Sequence, residues 1–144
     1  MPIRGIFHDL EERKQGIENL SVEQVKKELE AGGDLLLVDL REIQERVDLG
    51  AVPGSKHVPR GMLEFWADPA SPYYRDWFQE DRRTIVYCAG GVRSVLAVHS
   101  MLEMGFTNVA HLETGFSGWK KSGEPIEDVA STSRWVRREK PADA

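Results

Sequence analysis

The sequence has a single cysteine, Cys88. An internal disulfide is therefore excluded, as expected in a reducing compartment. No apolar run approaches the roughly 18 residues that a membrane span needs, and the opening Met-Pro-Ile-Arg-Gly-Ile-Phe-His-Asp has no signal-peptide core. A cytoplasmic protein with no membrane partner is the expectation. Positive charge is also scarce, with 19 Lys and Arg against 24 Asp and Glu and a net charge of −5. That balance argues against a nucleic-acid partner, which needs a concentrated basic face. Any anionic substrate must be drawn by a local field. His8, His57, His99 and His111 show no metal-ligand spacing with one another or with Cys88, so no metal site is expected and each reads as a surface or packing residue. Internal repeats and low-complexity tracts are absent.

What is present is enough for one domain with a real core: 144 residues, 40% hydrophobic and 30% charged. The chain is organised around residues 84–104. Thr84 to Tyr87 is a β-branched and aromatic run that reads as a buried strand, and Val95, Val98 and Leu102 recur at helical spacing. Between them lie Cys88, at the strand's carboxyl end, and Gly90-Gly91, where the backbone can curl without Cβ clashes. A helix opening near Val92 or Arg93 adds its unpaired N–H groups and its dipole. Inward amides, the helix terminus and the Arg93 guanidinium all favour thiolate over thiol, so Cys88 is expected to be a nucleophile. A lone cysteine is more often a small buried hydrophobe; the Gly-Gly and the Arg beside it favour the chemical reading.

The rest of the chain supplies alternating elements. Ser21 and Gln24 form a capping box ahead of Val22, Val25 and Leu29, predicting a helix from Val22 to Ala31 that stops at Gly32-Gly33. Leu35 to Val38 is the continuous apolar run of a strand covered on both faces. Asp39 and Arg41 follow it, at the same sheet edge as Cys88, since ligands in open parallel sheets bind beyond the strands' carboxyl ends. Asp39 is expected to cap the next helix, Glu42 to Asp48, and Arg41 either supports the site or pairs with a carboxylate. A brief strand over Lys56-His57-Val58 leads to Arg60, which either attracts an anion or faces solvent. Residues 62–83 concentrate aromatic rings around Asp68-Pro69-Ala70-Ser71-Pro72, with short helices expected over Met62 to Trp66 and Pro72 to Gln79. Most of those rings read as core, with a few available to wall a pocket mouth. Gly105 closes the central helix, Thr107 to Leu112 is a strand, and Gly115 to Lys120 starts a last helix ended by Gly123-Glu124-Pro125. Residues 1–18 read as an N-terminal extension, 19–126 as the domain and 127–144 as a flexible tail in which Trp135 and Val136 could dock. Alternating strands and helices give an α/β fold with a parallel sheet and helices on both faces.

Four pieces in this order resemble the rhodanese family of sulfurtransferases: Val-Asp-Leu-Arg at 38–41, Gly-Ala-Val-Pro-Gly-Ser-Lys-His-Val-Pro-Arg-Gly at 50–61, Tyr-Cys-Ala-Gly-Gly-Val-Arg-Ser at 87–94 and Gly-Phe-Thr-Asn-Val-Ala-His-Leu-Glu-Thr-Gly-Phe-Ser-Gly-Trp at 105–119. The resemblance implies a rhodanese-like fold with a five-stranded parallel sheet, and Cys88 carrying the transferred sulfur as a persulfide. Its active-site loop would be Ala89, Gly90, Gly91, Val92, Arg93 and Ser94, with Asp39, Arg41 and Arg60 in support and with no metal or organic cofactor. The partners implied are a small anionic donor such as thiosulfate and a thiol, cyanide or protein acceptor. Four residues separate Cys88 from Arg93, where the related phosphatases use one more, and a smaller ring of amides suits one sulfur better than three phosphoryl oxygens. Arg93 would bind the donor or hold the loop shut, unless a carboxylate such as Asp39 ties it up. No acid-base partner for Cys88 is visible, and sulfur transfer hardly needs one. The rival readings are a phosphatase or arsenate reductase-like enzyme on the same scaffold and a non-catalytic partner-binding module.

Overall fold

The computed structural model describes residues 2–135. Its elements in chain order are α1 (Leu10–Gln15), β1 (Glu18–Leu20), α2 (Val22–Ala31), β2 (Leu35–Asp39), α3 (Ile43–Leu49), β3 (Lys56–His57), α4 (Leu63–Ala67), β4 (Arg83–Tyr87), α5 (Val92–Met104), β5 (Val109–Leu112) and α6 (Gly115–Lys121). Single 3-10 turns at Arg60–Met62 and Ala130–Thr132 complete them. The five strands form one parallel sheet in the order β1-β5-β4-β2-β3, as the α/β rhodanese-like expectation requires.

Local chemistry accounts for the helix ends. Ser21 Oγ accepts from the Gln24 amide at 3.1 Å and Gln24 Oε1 accepts from the Ser21 amide at 2.8 Å, so the capping box that opens α2 is complete. Glu42 and Glu45 open α3 in the same reciprocal way; Glu42 is the cap there, and Asp39 is not. Each face of the sheet has its own core, set by strand parity. Val38, Val86, Cys88 and Val109 pack with Ala97, Val98 and Met101 of α5 and with Leu63 of α4. On the other face Leu37, Ile85, Tyr87 and Ala110 pack with Val25 of α2 and with Phe116 and Trp119 of α6.

Residues 72–79 form turns rather than the expected helix. Arg75 sends its amide back to the Trp66 carbonyl at 2.8 Å, and the Phe78 amide reaches Arg75, so successive donors serve tertiary turns instead of an i−4 ladder. Most of the segment's rings are core: Phe78 is buried and meets Phe106 edge to face, and Trp66, Tyr74 and Trp77 pack against the same core, whereas Phe65 and Tyr73 are exposed. Glu127 exchanges backbone hydrogen bonds with Ala51 at 2.8 and 3.0 Å, so the expected tail starts with residues fixed to the domain. The Trp135 carbonyl accepts a long hydrogen bond from Gln44 at 3.4 Å, its amide donates to Ser133 Oγ at 3.0 Å and Arg134 lies over its ring at 5.1 Å; Val136 lies outside the described residues. Among the described residues no helix is long and apolar enough to cross a membrane.

Candidate active site

Cys88 follows β4 directly, and its loop closes at Gly91, the residue before α5. The Gly91 amide donates to Cys88 Sγ at 3.2 Å. The carbonyls of Cys88 and Ala89 accept from the Phe116 and Ser117 amides at the start of α6, at 2.8 and 3.0 Å. In a planar trans peptide the next N–H points opposite to the carbonyl, and the described chain has no cis bond. The Ala89 and Gly90 amides are therefore turned away from α6. Gly91 has φ +98°, and a Cβ there would lie 2.1 Å from the Glu113 carbonyl oxygen; Gly115 has φ +64°, and a Cβ there would lie 2.5 Å from the Ala89 oxygen. Both glycines are required by the close approach of β5's exit to the loop. Gly90 is exposed and open on its Cα.

Arg93, half-buried in the first turn of α5, makes a bidentate pair with Glu45, at 2.9 and 3.0 Å. The carboxylate that ties it is therefore Glu45 and not Asp39. Glu45 also accepts from the Glu42 amide at 2.8 Å, so the start of α3 fixes the guanidinium's position. The Arg93 guanidinium is driven further toward its charged form, mainly by Glu45, with a smaller contribution from Cys88. The Arg93 charge thus lies within reach of the sulfur while Glu45 holds the side chain.

Asp39 and Arg41 reach the same sheet edge but on the other face. Asp39 pairs in register with Tyr87, and Cys88 is one residue on, so its side chain alternates to the opposite side. Asp39 accepts from Arg41 Nε (3.0 Å) and Nη2 (2.9 Å), from Arg46 (3.0 Å) and from the Tyr87 hydroxyl (3.0 Å). Burial opposes its charge, but the two guanidinium groups outweigh that and hold the carboxyl below its usual range. Arg41 is fully buried, reaches the Gly50 carbonyl and lies over the Phe116 ring at 4.2 Å. Its Nη1 is a buried donor with no hydrogen-bond partner among the described residues, and the guanidinium's contact with the ring face offsets part of that loss. Arg60 pairs with Glu64 one helical turn away, at 2.9 Å. The structure thus brings together Cys88, its loop and Arg93, and leaves Asp39 and Arg41 beneath α3 and α6.

The sequence reading missed three residues at this site. Glu45 is one. The other two, His111 and Asn19, extend a line from the sulfur: Cys88 Sγ lies 3.6 Å from Ser94 Oγ, which lies 2.8 Å from His111 Nδ1, and His111 Nε2 lies 2.6 Å from Asn19 Oδ1. The signal available was a histidine within a strand otherwise made of Val, Ala and Leu, beside the strand of the cysteine. A cleft of about 580 Å³ lined by Tyr74, Phe78, Met104 and Phe106 sits at the far end of α5 and includes none of the loop.

The profile of the rhodanese-like domain family matches residues 21–122. The chain is a member of the rhodanese-like domain family. Its solved relatives include a Rhodopseudomonas palustris protein described as of unknown function and a possible tyrosine phosphatase. That structure is 44% identical with a TM-score of 0.82, and the match covers 88% of this chain and 99% of that one. A sulfurtransferase of Allochromatium vinosum is 26% identical over 76% of this chain and 94% of its own length. A probable adenylyltransferase/sulfurtransferase of Mycobacterium tuberculosis is 29% identical over 67% of this chain, a match that spans only 23% of that longer protein. Within the rhodanese-like family the two relatives named as sulfurtransferases support sulfur transfer as the general chemistry.

Proposed function

We propose that this rhodanese-like protein transfers a sulfane sulfur from thiosulfate or a similar donor to a thiophilic acceptor through a persulfide on Cys88. The observation that carries the reading is the sulfur's position at the mouth of α5, with the Gly91 N–H on it at 3.2 Å. In the first step the Cys88 thiolate attacks the outer sulfur of thiosulfate. The donor's S–S bond breaks, sulfite leaves with the electron pair, and a new S–S bond joins Sγ to the transferred atom. In the second step an acceptor nucleophile such as cyanide attacks that outer sulfur, and Cys88 recovers the bonding pair as thiolate. Charge is conserved in both steps, so no proton donor is needed for either leaving group. The Gly91 amide is oriented before the charge arrives, and losing one such donor typically costs about 10²–10³ in rate. Cys88 is only 1% exposed, which favours a compact donor. A thiol, cyanide or a partner protein can serve as acceptor.

A second reading, phosphoryl transfer, is favoured by the description of the Rhodopseudomonas palustris relative. The four-residue spacing from Cys88 to Arg93 argues for sulfur. Intact-mass spectrometry after incubation with thiosulfate separates the two. The wild-type chain should gain one sulfur atom that cyanide removes, and Cys88→Ser should gain none. No sulfur adduct, together with Cys88-dependent hydrolysis of an aryl phosphate, would replace this reading with the second.

A further inference from the structure

The line from Cys88 through Ser94 and His111 to Asn19 is not used by the sulfur-transfer steps, and its proton positions can be worked out from the far end. Ser94 and His111 are fully buried. Asn19 Nδ2 donates to the carbonyls of Lys14 at 2.8 Å and Ile17 at 3.0 Å. A flipped amide would set its oxygen against two oxygens, so Asn19 presents Oδ1 to His111. His111 Nε2 must therefore be the donor across the 2.6 Å contact. Burial, helped by the charge of Lys14, pushes the imidazole down to about 4, so it is neutral at ordinary pH and carries one ring proton. With that proton on Nε2, Nδ1 is an acceptor and the Ser94 hydroxyl donates to it at 2.8 Å. A hydroxyl has only one proton to give. Ser94 Oγ consequently faces the sulfur with lone pairs alone, and the Cys88 thiol donates to it at 3.6 Å.

We propose that Asn19 and His111 form a polarity lock that commits the Ser94 proton away from the sulfur, so that Ser94 favours the thiol form of the resting Cys88, which releases its proton to solvent before the thiolate attacks. His111 is a positioning residue that acts through Ser94. Without it, the same hydroxyl would turn its proton onto the sulfur and favour the anion. The lock opposes the pull of the Gly91 amide and of Arg93, which α3 holds through Glu45. On the histidine's side the facing charge is Lys14 of α1, itself 4.0 Å from Glu113. The meaning for catalysis rests on the sulfur-transfer reading: a persulfide carries its charge on the outer sulfur, one bond beyond the Sγ that Ser94 faces. The lock then penalises the empty site's anion and spares the loaded one, which limits off-pathway alkylation and oxidation of the resting cysteine.

Iodoacetamide alkylation of Cys88 as a function of pH reads the thiolate. His111→Leu removes the acceptor for Ser94, and its profile should move to lower pH with a several-fold faster reaction near neutrality. His111→Asn, which offers Oδ1 where Nδ1 stood, should restore the wild-type profile. In a Ser94→Ala background, His111→Leu should change nothing. A slower reaction in His111→Leu, or a shift that persists without Ser94, overturns the proposal. The wild-type chain gives an independent check if a variant does not fold. Its ring ¹⁵N shifts should show His111 protonated at Nε2 and bare at Nδ1 between about pH 5 and 8, and a protonated Nδ1 overturns it. Neither readout needs sulfur transfer. A chain that forms no persulfide yet shows this tautomer refutes the function and leaves the lock in place.

Discussion

His111 and Asp39 are both buried and titratable, and their surroundings stabilise opposite states of charge. Asp39 stays ionised because Arg41 and Arg46 oppose its burial. Among the described residues no anion pairs with His111, and burial and the Lys14 charge keep it neutral, with its value lowered from the ordinary 6.5 to about 4. As pH falls the unfolded chain therefore takes up the histidine proton first. The stability that comes from His111 is complete above about pH 6.5 and is lost between there and about 4. By pH 5 the loss should reach about 2 kcal/mol, at 1.36 kcal/mol per pH unit. Glu18, Asp39, Glu45 and Glu64 are all held below their usual range, so their losses come at lower pH and leave this window to the histidine. Urea midpoints at pH 7 and pH 5 measure it: the wild-type midpoint should fall, and His111→Asn should remove most of that difference. An unchanged difference in the variant would assign the effect to other groups.

At the scale of elements, the loop between β4 and α5 is shaped by what abuts it. Two adjacent glycines look equivalent in the sequence, and they are not. Gly90→Ala meets open space, whereas Gly91→Ala would drive a Cβ into the Glu113 carbonyl at a backbone angle that side chains avoid. Gly115→Ala would press on the Ala89 and Cys88 oxygens, at 2.5 and 2.7 Å, and so push α6 off the carbonyls that orient the loop. Thermal melts should show Gly90→Ala near wild type and the other two destabilised by about 1–3 kcal/mol. Persulfide formation should slow in Gly91→Ala even where the fold survives. Equal tolerance at both loop positions would contradict this account. The elements themselves were largely legible: Ser21 with Gln24, the apolar run of β2 and the glycine after α5 are local signals, and each element formed where its signal lay. Residues 72–79 failed because aromatic spacing alone cannot tell a helix from a string of turns that bury the same rings. The partners of Cys88 were illegible for a different reason. They depend on register: Val86 pairs with His111, which puts the imidazole on the sulfur's face, and with Asp39 on the other face the expected support by Asp39 and Arg41 became a separate charge cluster.

For the whole molecule, the strand order sets one end of the sheet against the other. Strands β1, β5 and β4 are neighbours, so Asn19, His111 and the Cys88 loop line up across three strands although Asn19 and His111 are 92 residues apart in the chain. Strand β1 has only three residues, too few for an alternation signal, which is why the first residues read as an extension. A strand so short at a sheet edge needs something besides its own ladder to hold it. Arg83, the first residue of β4, reaches past β5 to Glu18 of β1 at 2.6 Å, to Glu28 of α2 at 2.8 Å and to Asn108 at 3.1 Å. The guanidinium is mostly buried while Glu18 is half-exposed, so the cluster lies between surface pairs worth under about 1 kcal/mol and buried ones whose breakage costs about 3–5. Arg83→Met keeps the aliphatic stem and should cost about 1–2 kcal/mol by that interpolation. Hydrogen exchange localises the effect. The Glu113 amide, which donates to the Leu20 carbonyl of β1, should exchange faster than the global loss explains, while the β2–β4 amides should follow the global change. A uniform increase would mean that Arg83 stabilises the whole sheet and that β1, with the asparagine it carries, is held in place by its ladder alone.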